Sequence, residues 1–206
     1  MNKKIRLLAP KSLPVAAASA SNKVSGQSPV IAYTGDGKGK TSAGIGLVCR
    51  ALGAGKKVAF IQFIKQWRVS EDEFFDAVAP VFGENLTLYK GGLGFFEAGA
   101  MSAKGVSKAE HVTMARKTYD YVLREAVSGD YDVIVCDEIN NAVHDGLLSI
   151  RDIDELIEKR SSKTTLCLTG RNFPAKLKAK ADIISDIQKV KHHYDDGAIA
   201  QKGLDY

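Results

Sequence analysis

Residues 34–41 read Thr-Gly-Asp-Gly-Lys-Gly-Lys-Thr, and few folds accommodate such a run. An apolar stretch, Val30-Ile31-Ala32-Tyr33, precedes it, and Ser42 to Leu52 follows with helical character. A strand, a glycine-rich turn and a helix start in succession let consecutive backbone N–H groups converge on one anion. The helix start adds free N–H groups and a positive dipole end. In that setting Lys40 reaches the phosphates and Thr41 offers its hydroxyl to Mg²⁺. The expected nucleotide-binding positions are Gly35, Asp36, Gly37, Lys38, Gly39, Lys40, Thr41 and Ser42. The usual pattern is G-x-x-x-x-G-K-[ST], and its first glycine is replaced here by Thr34. Lys38 is an extra basic residue, so a nucleoside triphosphate held in an unconventional way is the expectation. The competing reading is a turn that contains lysines by chance.

The rest of the chain alternates strand and helix patterns. Ala43, Leu47, Val48 and Ala51 form one expected buried stripe, ended by Gly53 and Gly55. Lys57 to Phe63 reads as a buried strand, with Gln62, Lys65, Gln66 and Trp67 at its C-terminal end. Ligands of open α/β sheets collect at that edge. Glu71 to Ala79 reads as a short helix and Leu86 to Tyr89 as a strand. The segment Gly91-Gly92-Leu93-Gly94-Phe95-Phe96-Glu97-Ala98-Gly99 cannot continue as a regular helix or central strand. It reads as a mobile loop with apolar side chains, or as a loop whose aromatics fold back into the core.

Ser107 to Val127 is helical, with Val112, Ala115, Tyr119, Val122 and Leu123 sharing one face. Tyr131 to Glu138 is an apolar run closed by two carboxylates, the place of a Walker-B acid beside the phosphate loop. Asp137 and Glu138 are therefore metal candidates together with Thr41; two solvated acids at a strand end is the alternative. Ile150 to Lys159 is an amphipathic helix, Thr164 to Thr169 a strand, Pro174 to Ala181 a short helix and Ile183-Ile184 a last strand. This alternation predicts an α/β fold, a P-loop NTPase-like, mainly parallel sheet with helices on both faces. No internal repeat or second domain is visible. Adjacent His192 and His193 diverge on either a strand or a helix and have no third ligand at suitable spacing.

The chain has 206 residues, 45% of them hydrophobic, enough for one domain with a substantial core. Its net charge of +5 resides in residues 1–29, which hold Lys3, Lys4, Arg6, Lys11 and Lys23 and no acid. The remainder carries equal numbers of basic and acidic side chains, which argues against a nucleic-acid docking face. No apolar run is long enough to cross a membrane. Residues 1–29 read as a flexible basic tail and 30–206 as the folded domain. Ala18-Ser19-Ala20 resembles a signal-peptidase site, but Pro10, Lys11 and Pro14 interrupt the apolar core it would need. Import into an organelle is a compositional alternative to a cytoplasmic location. Cys49, Cys136 and Cys167 lie in apolar stretches and read as buried, reduced thiols.

With these residues collected, the chain resembles the P-loop-type ATP:corrinoid adenosyltransferases, which act on cob(I)alamin or cob(I)yrinic acid a,c-diamide. Thr34 to Thr41 is similar to that family's shortened phosphate loop. Arg50-Ala51, Gly53, Gly55-Lys56 and Gln62-Phe63-Ile64-Lys65 are similar to its next helix and strand, and Asp137-Glu138 to its acidic pair. Leu168-Thr169-Gly170-Arg171, Val190-Lys191-His192, Gly197, Ala200-Gln201, Gly203 and Asp205-Tyr206 resemble its C-terminal signature. The resemblance covers about residues 30–206.

It implies transfer of the 5′-deoxyadenosyl group of ATP to the cobalt of a reduced corrinoid, with release of tripolyphosphate, in adenosylcobalamin biosynthesis or salvage. It implies ATP, Mg²⁺ or Mn²⁺ and a corrinoid as cofactor and substrates, with Lys40, Thr41 and Glu138 as catalytic residues. It also implies a homodimer and a reduced flavoprotein electron donor. The 91–99 loop stands where the family carries aromatics that displace a lower axial ligand of cobalt. Leu93, Phe95 and Phe96 are thus the expected corrinoid contacts, Leu93 standing in a position the family fills with an aromatic. The alternatives are an ordinary P-loop ATPase or kinase that cleaves the β–γ bond, and a non-catalytic ATP-binding regulator.

Overall fold

The computed structural model describes residues 26–96, 103 and 105–205. Expectations that fall on residues 1–25, 97–102, 104 and 206 lie outside them, including most of the basic tail, Glu97-Ala98-Gly99 and Tyr206.

Among the described residues six strands form one all-parallel sheet: β1 (Val30–Thr34), β2 (Val58–Gln62), β3 (Leu86–Lys90), β4 (Val133–Asp137), β5 (Thr165–Thr169) and β6 (Ile183–Asp186). Their spatial order is β3-β2-β4-β5-β1-β6. The α-helices among the described residues that lie between them are α1 (Lys40–Gly53), α2 (Ser70–Phe82), α3 (Lys108–Ser128), α4 (Ile139–His144) and α5 (Ile150–Lys159).

Alternation along the strands sends side chains to two cores. Ile31, Val58, Phe60, Val133, Val135 and Cys167 pack with Val48, Leu52 and Phe75 of α1 and α2. Val30, Ala32, Ile61, Ile134, Cys136 and Leu168 pack on the other face with Ala115, Tyr119, Ile153 and Leu156 of α3 and α5. The central strands are apolar at consecutive positions because both faces are covered. α3 begins at a reciprocal cap: Glu110 accepts the Ser107 N–H at 2.8 Å, and Ser107 Oγ accepts the Glu110 N–H at 3.3 Å. It is joined to α5 by Arg116, which donates to both oxygens of Asp152 at 2.7 and 3.0 Å.

Several expectations are corrected. α1 begins at Lys40, two residues before the periodicity starts, and its buried residues are Gly44, Val48, Ala51 and Leu52; Ala43 and Leu47 are half-buried. On α3, Val112 is exposed, and the buried face takes His111 and Thr118 instead. Cys49 is exposed, while Cys136 and Cys167 are buried. Pro174 to Ala181 contains a 3₁₀ segment, Ala175–Lys180, rather than an α-helix. α4 has no counterpart in the sequence reading.

Candidate active site

All six strands run the same way, so the segments leaving their C-terminal ends gather along one edge. The phosphate loop leaves β1, residues 63–69 leave β2, the 91–96 loop leaves β3, Glu138 leaves β4 and Gly170-Arg171 leaves β5.

Thr34 is still part of β1, and its Oγ1 accepts the N–H of Phe173 at 3.1 Å. This explains the missing first glycine: that position is a buried strand residue with a hydroxyl in use. The loop then passes tightly over the segment after β6. Gly37 N–H donates to Ile187 C=O at 2.7 Å, and a Cβ on Gly37 would lie 2.6 Å from that oxygen. The Gly37 amide is therefore bonded within the protein. Gly39, at φ 117°, turns the chain into α1. Lys40 opens α1 and donates from Nζ to the Gly37 carbonyl at 2.5 Å. Burial lowers its pKa and the nearby Arg171 lowers it further, against Asp36, Glu138 and Asp137. No acid occupies the first turn of α1, so no carboxylate of that turn competes for its N-terminal amides.

The acidic pair is separated from β1 by β5, so it is not on the neighbouring strand to the phosphate loop. Thr169, at the tip of β5, spans the gap. Its Oγ1 donates to Asp137 Oδ1 at 2.7 Å and accepts the Glu138 N–H at 3.0 Å. Asp137 is wholly buried, and its Oδ2 lies 3.4 Å from Gln62 Nε2 and 3.5 Å from Lys65 Nζ. Both Asp137 oxygens are thus engaged by the protein. Glu138 takes a left-handed backbone conformation, φ 63°, at the N-terminus of α4. The residue as a whole keeps some solvent contact, but its Oε2 is enclosed and has no hydrogen-bond partner among the described residues. Burial, then the Asp137 charge, pushes its pKa up to about 7 against the pull of Lys65 and Lys40. Lys65 also donates to Glu71 at 2.8 Å. Burial opposes its charge, but Asp137, Glu138 and Glu71 together hold its pKa above the usual lysine value.

The aromatic loop is sewn onto the β2 exit. Gly91 N–H donates to Gln62 C=O at 2.9 Å and Gly94 N–H to Ile64 C=O at 2.8 Å. A Cβ on Gly92 would lie 2.0 Å from the Ile64 oxygen, so only glycine permits this approach. The two phenylalanines diverge. Phe96 turns toward α3, 5.5 Å from the His111 ring and with Lys108 Nζ 5.1 Å over its face. Phe95 meets Trp67, ring centroids 5.4 Å apart. Both phenylalanines pack against the core, and Leu93 is half-buried.

The C-terminal segment returns across the loop. Asp205 pairs with Lys38 at 2.7 Å and accepts the Gln201 N–H at 2.8 Å. The Lys38 bond, then the Gln201 amide, depresses its carboxyl to about 2. His193 Nε2 stands 3.4 Å from Asp205, and His192 Nδ1 accepts the Tyr194 N–H. Among the described residues no three His, Cys, Asp or Glu side chains are grouped to hold a metal.

The structure thus gathers Lys40, Thr41, Asp137, Glu138, Leu93 and Phe95 at one edge, joins Lys38 to Asp205 and directs Phe96 to α3. Two features escaped the sequence reading: the bridging use of Thr169, which was legible only as a strand residue, and the pairing of Trp67 with Phe95 across two loops.

Residues 27–206 match the family described as ATP:corrinoid adenosyltransferase BtuR/CobO/CobP. The corrinoid adenosyltransferase of Escherichia coli (strain K12) is 30% identical over 178 residues, 86% of this chain and 85% of that protein. The corrinoid adenosyltransferase of Pseudomonas aeruginosa is 32% identical over 177 residues, 86% of this chain and 83% of that one. Among solved structures, the KaiC-like protein PH0186 from Pyrococcus horikoshii OT3 superposes with a TM-score of 0.45 at 19% identity, over 81% of this chain and 75% of that chain.

Proposed function

The chain belongs to the ATP:corrinoid adenosyltransferase family, and from that premise we propose how its own residues divide the work. The enzyme transfers the 5′-deoxyadenosyl group of ATP to the cobalt of a reduced corrinoid. Cobalt(I) supplies the electron pair for a Co–C bond at C5′. The C5′–O bond breaks, and its electrons leave with tripolyphosphate. The nucleophile has no proton to lose, so the protein's task is to position the substrates and stabilise the charge that builds on the leaving group.

The observation that carries this reading is the enclosed Glu138 Oε2, left without a protein partner at the same edge as Lys40 and the start of α1. A buried carboxylate oxygen in that condition suits a cation. A divalent ion, Mg²⁺ or Mn²⁺, would be held by Thr41 and Glu138 and supplies positive charge to the departing triphosphate. Lys40 exchanges the Gly37 carbonyl for phosphate oxygens, and the first amides of α1, through Ser42, point at the same anion. Asp137 acts through its neighbours: with Thr169 it fixes the Glu138 backbone, and its other oxygen, which Gln62 approaches, draws in Lys65. Gly35, Asp36, Gly39 and Lys38 shape the loop around the nucleotide. The corrinoid lies on the side of Leu93 and Phe95, while Phe96 anchors the loop to α3.

In the same reading the protein works as a homodimer that receives electrons from a reduced flavoprotein, which the family resemblance supports, and in the cytoplasm, a reducing compartment that its free cysteines suit.

The test is product analysis. The protein, ATP, Mg²⁺ and chemically reduced cobalamin should yield a light-sensitive cobalt–carbon product with tripolyphosphate in equal amount. Formation of ADP in its place would overturn the reading in favour of β–γ cleavage.

A further inference from the structure

The structure points to a residue outside the aromatic loop as part of the corrinoid site: we propose that Trp67 forms, with Phe95, the apolar shelf on which the corrin macrocycle rests. This rests on the adenosyltransferase reading and deepens it.

Trp67 is the chain's single tryptophan, and it is 41% exposed. Its ring is not stray surface. It packs on Phe95 at a centroid distance of 5.4 Å and an interplanar angle of 53°. The backbone beneath it is fixed, because Lys90 Nζ donates to the Trp67 carbonyl at 2.8 Å and also pairs with Asp72. The partner loop is fixed as well, by Gly94 N–H on Ile64 C=O. Gly94 lies beside the indole, where a Cβ would make an ordinary contact 3.4 Å from Trp67 Cζ3. Two rings from different loops are therefore held together at the C-terminal edge of the sheet, the indole exposed and Phe95 half-buried.

That edge is the one that carries Lys65 and Glu138. A broad, flat, largely apolar ligand is the chemistry such a face selects, because two locked rings remove apolar surface from water without losing side-chain freedom on binding. A corrin ring is the one substrate of this enzyme with that shape. The loop alone directs one phenylalanine toward this face, since Phe96 is committed to α3. Trp67 supplies the second ring.

The experiment measures two dissociation constants on Trp67→Ala and Trp67→Phe: cob(II)alamin binding in the presence of ATP and Mg²⁺, followed by corrinoid absorbance, and ATP binding alone. Loss of the indole should weaken cobalamin binding about tenfold, leave ATP affinity unchanged, and be recovered to within roughly threefold by phenylalanine. Unchanged cobalamin affinity in Trp67→Ala would overturn the proposal. So would a parallel loss of ATP affinity, which marks a structural role. If the wild-type protein makes no Co–C product from cob(I)alamin and ATP, the adenosyltransferase reading itself fails. If the wild type turns over and Trp67→Ala binds cobalamin normally, only the shelf fails.

Discussion

Replacing Glu138 with glutamine should make the nucleotide-free protein more stable while removing its metal-assisted hold on ATP. The enclosed carboxylate has its pKa pushed from the ordinary 4.5 up to about 7. A group whose folded pKa exceeds its unfolded one keeps its proton more tightly when folded, so ionisation disfavours folding. The wild-type penalty is absent below the unfolded pKa, grows through the interval between the two values and is complete above the folded one. A displacement of roughly 2.5 pH units corresponds to about 3 kcal/mol. Glutamine keeps the size, drops the charge and leaves Lys65 its contacts with Asp137 and Glu71. The assay is urea unfolding, followed by circular dichroism at about pH 5 and about pH 8, with a chelator and no nucleotide. The variant should exceed the wild type by less than about 1 kcal/mol at the lower pH and by about 3 kcal/mol at the higher. An equal difference at both values would refute the argument from charge burial, and a wild type more stable at the higher pH would refute its sign. Isothermal titration with Mg²⁺ and ATP should show the opposite ranking, the variant binding more weakly.

Lys40→Ala should weaken ATP binding about tenfold to a hundredfold, the loss expected for a charge-assisted contact with phosphate; nucleotide affinity equal to wild type would remove the lysine from the site. Thr169→Val keeps the shape of the strand tip but strands Asp137 Oδ1 and the Glu138 N–H, so unfolding should cost roughly 1–3 kcal/mol less and kcat should fall with it. An active, equally stable variant would show that the bridge between β4 and β5 is idle. Gly92→Ala drives a methyl into the Ile64 carbonyl, and measured separately, cobalamin affinity should suffer and ATP affinity should hold. A loss confined to ATP would place the loop elsewhere in the mechanism.

The parts of this molecule legible in the sequence are those set by local rules. Consecutive apolar residues at 58–61 and 133–136 mark strands covered on both faces, and the glycines of 35–39 mark a turn that no other residues could make. What escaped depends on which strands become neighbours. Nothing local in Asp137 or Thr169 says that β5 will stand between β1 and β4, yet that order turns a threonine into the link between the acidic pair and the sheet. Trp67 and Phe95 likewise belong to separate loops, and their meeting follows from the pairing of β2 with β3. Val112 and His111 show the same limit on a smaller scale. Periodicity alone does not settle which of two adjacent positions faces inward, and here His111 is buried against the Phe96 ring. α4 is only six residues long, too short for any periodicity to register.

The bond from Gly37 to Ile187 has a consequence for biosynthesis. The loop is made early, whereas the segment that pins it follows β6, which comes after β1 to β5 in chain order. A nascent chain can pair β2 with β3, yet its phosphate loop stays unfastened until Ile187 has been made. ATP therefore meets a fastened loop only once β6 and Ile187 have joined β1.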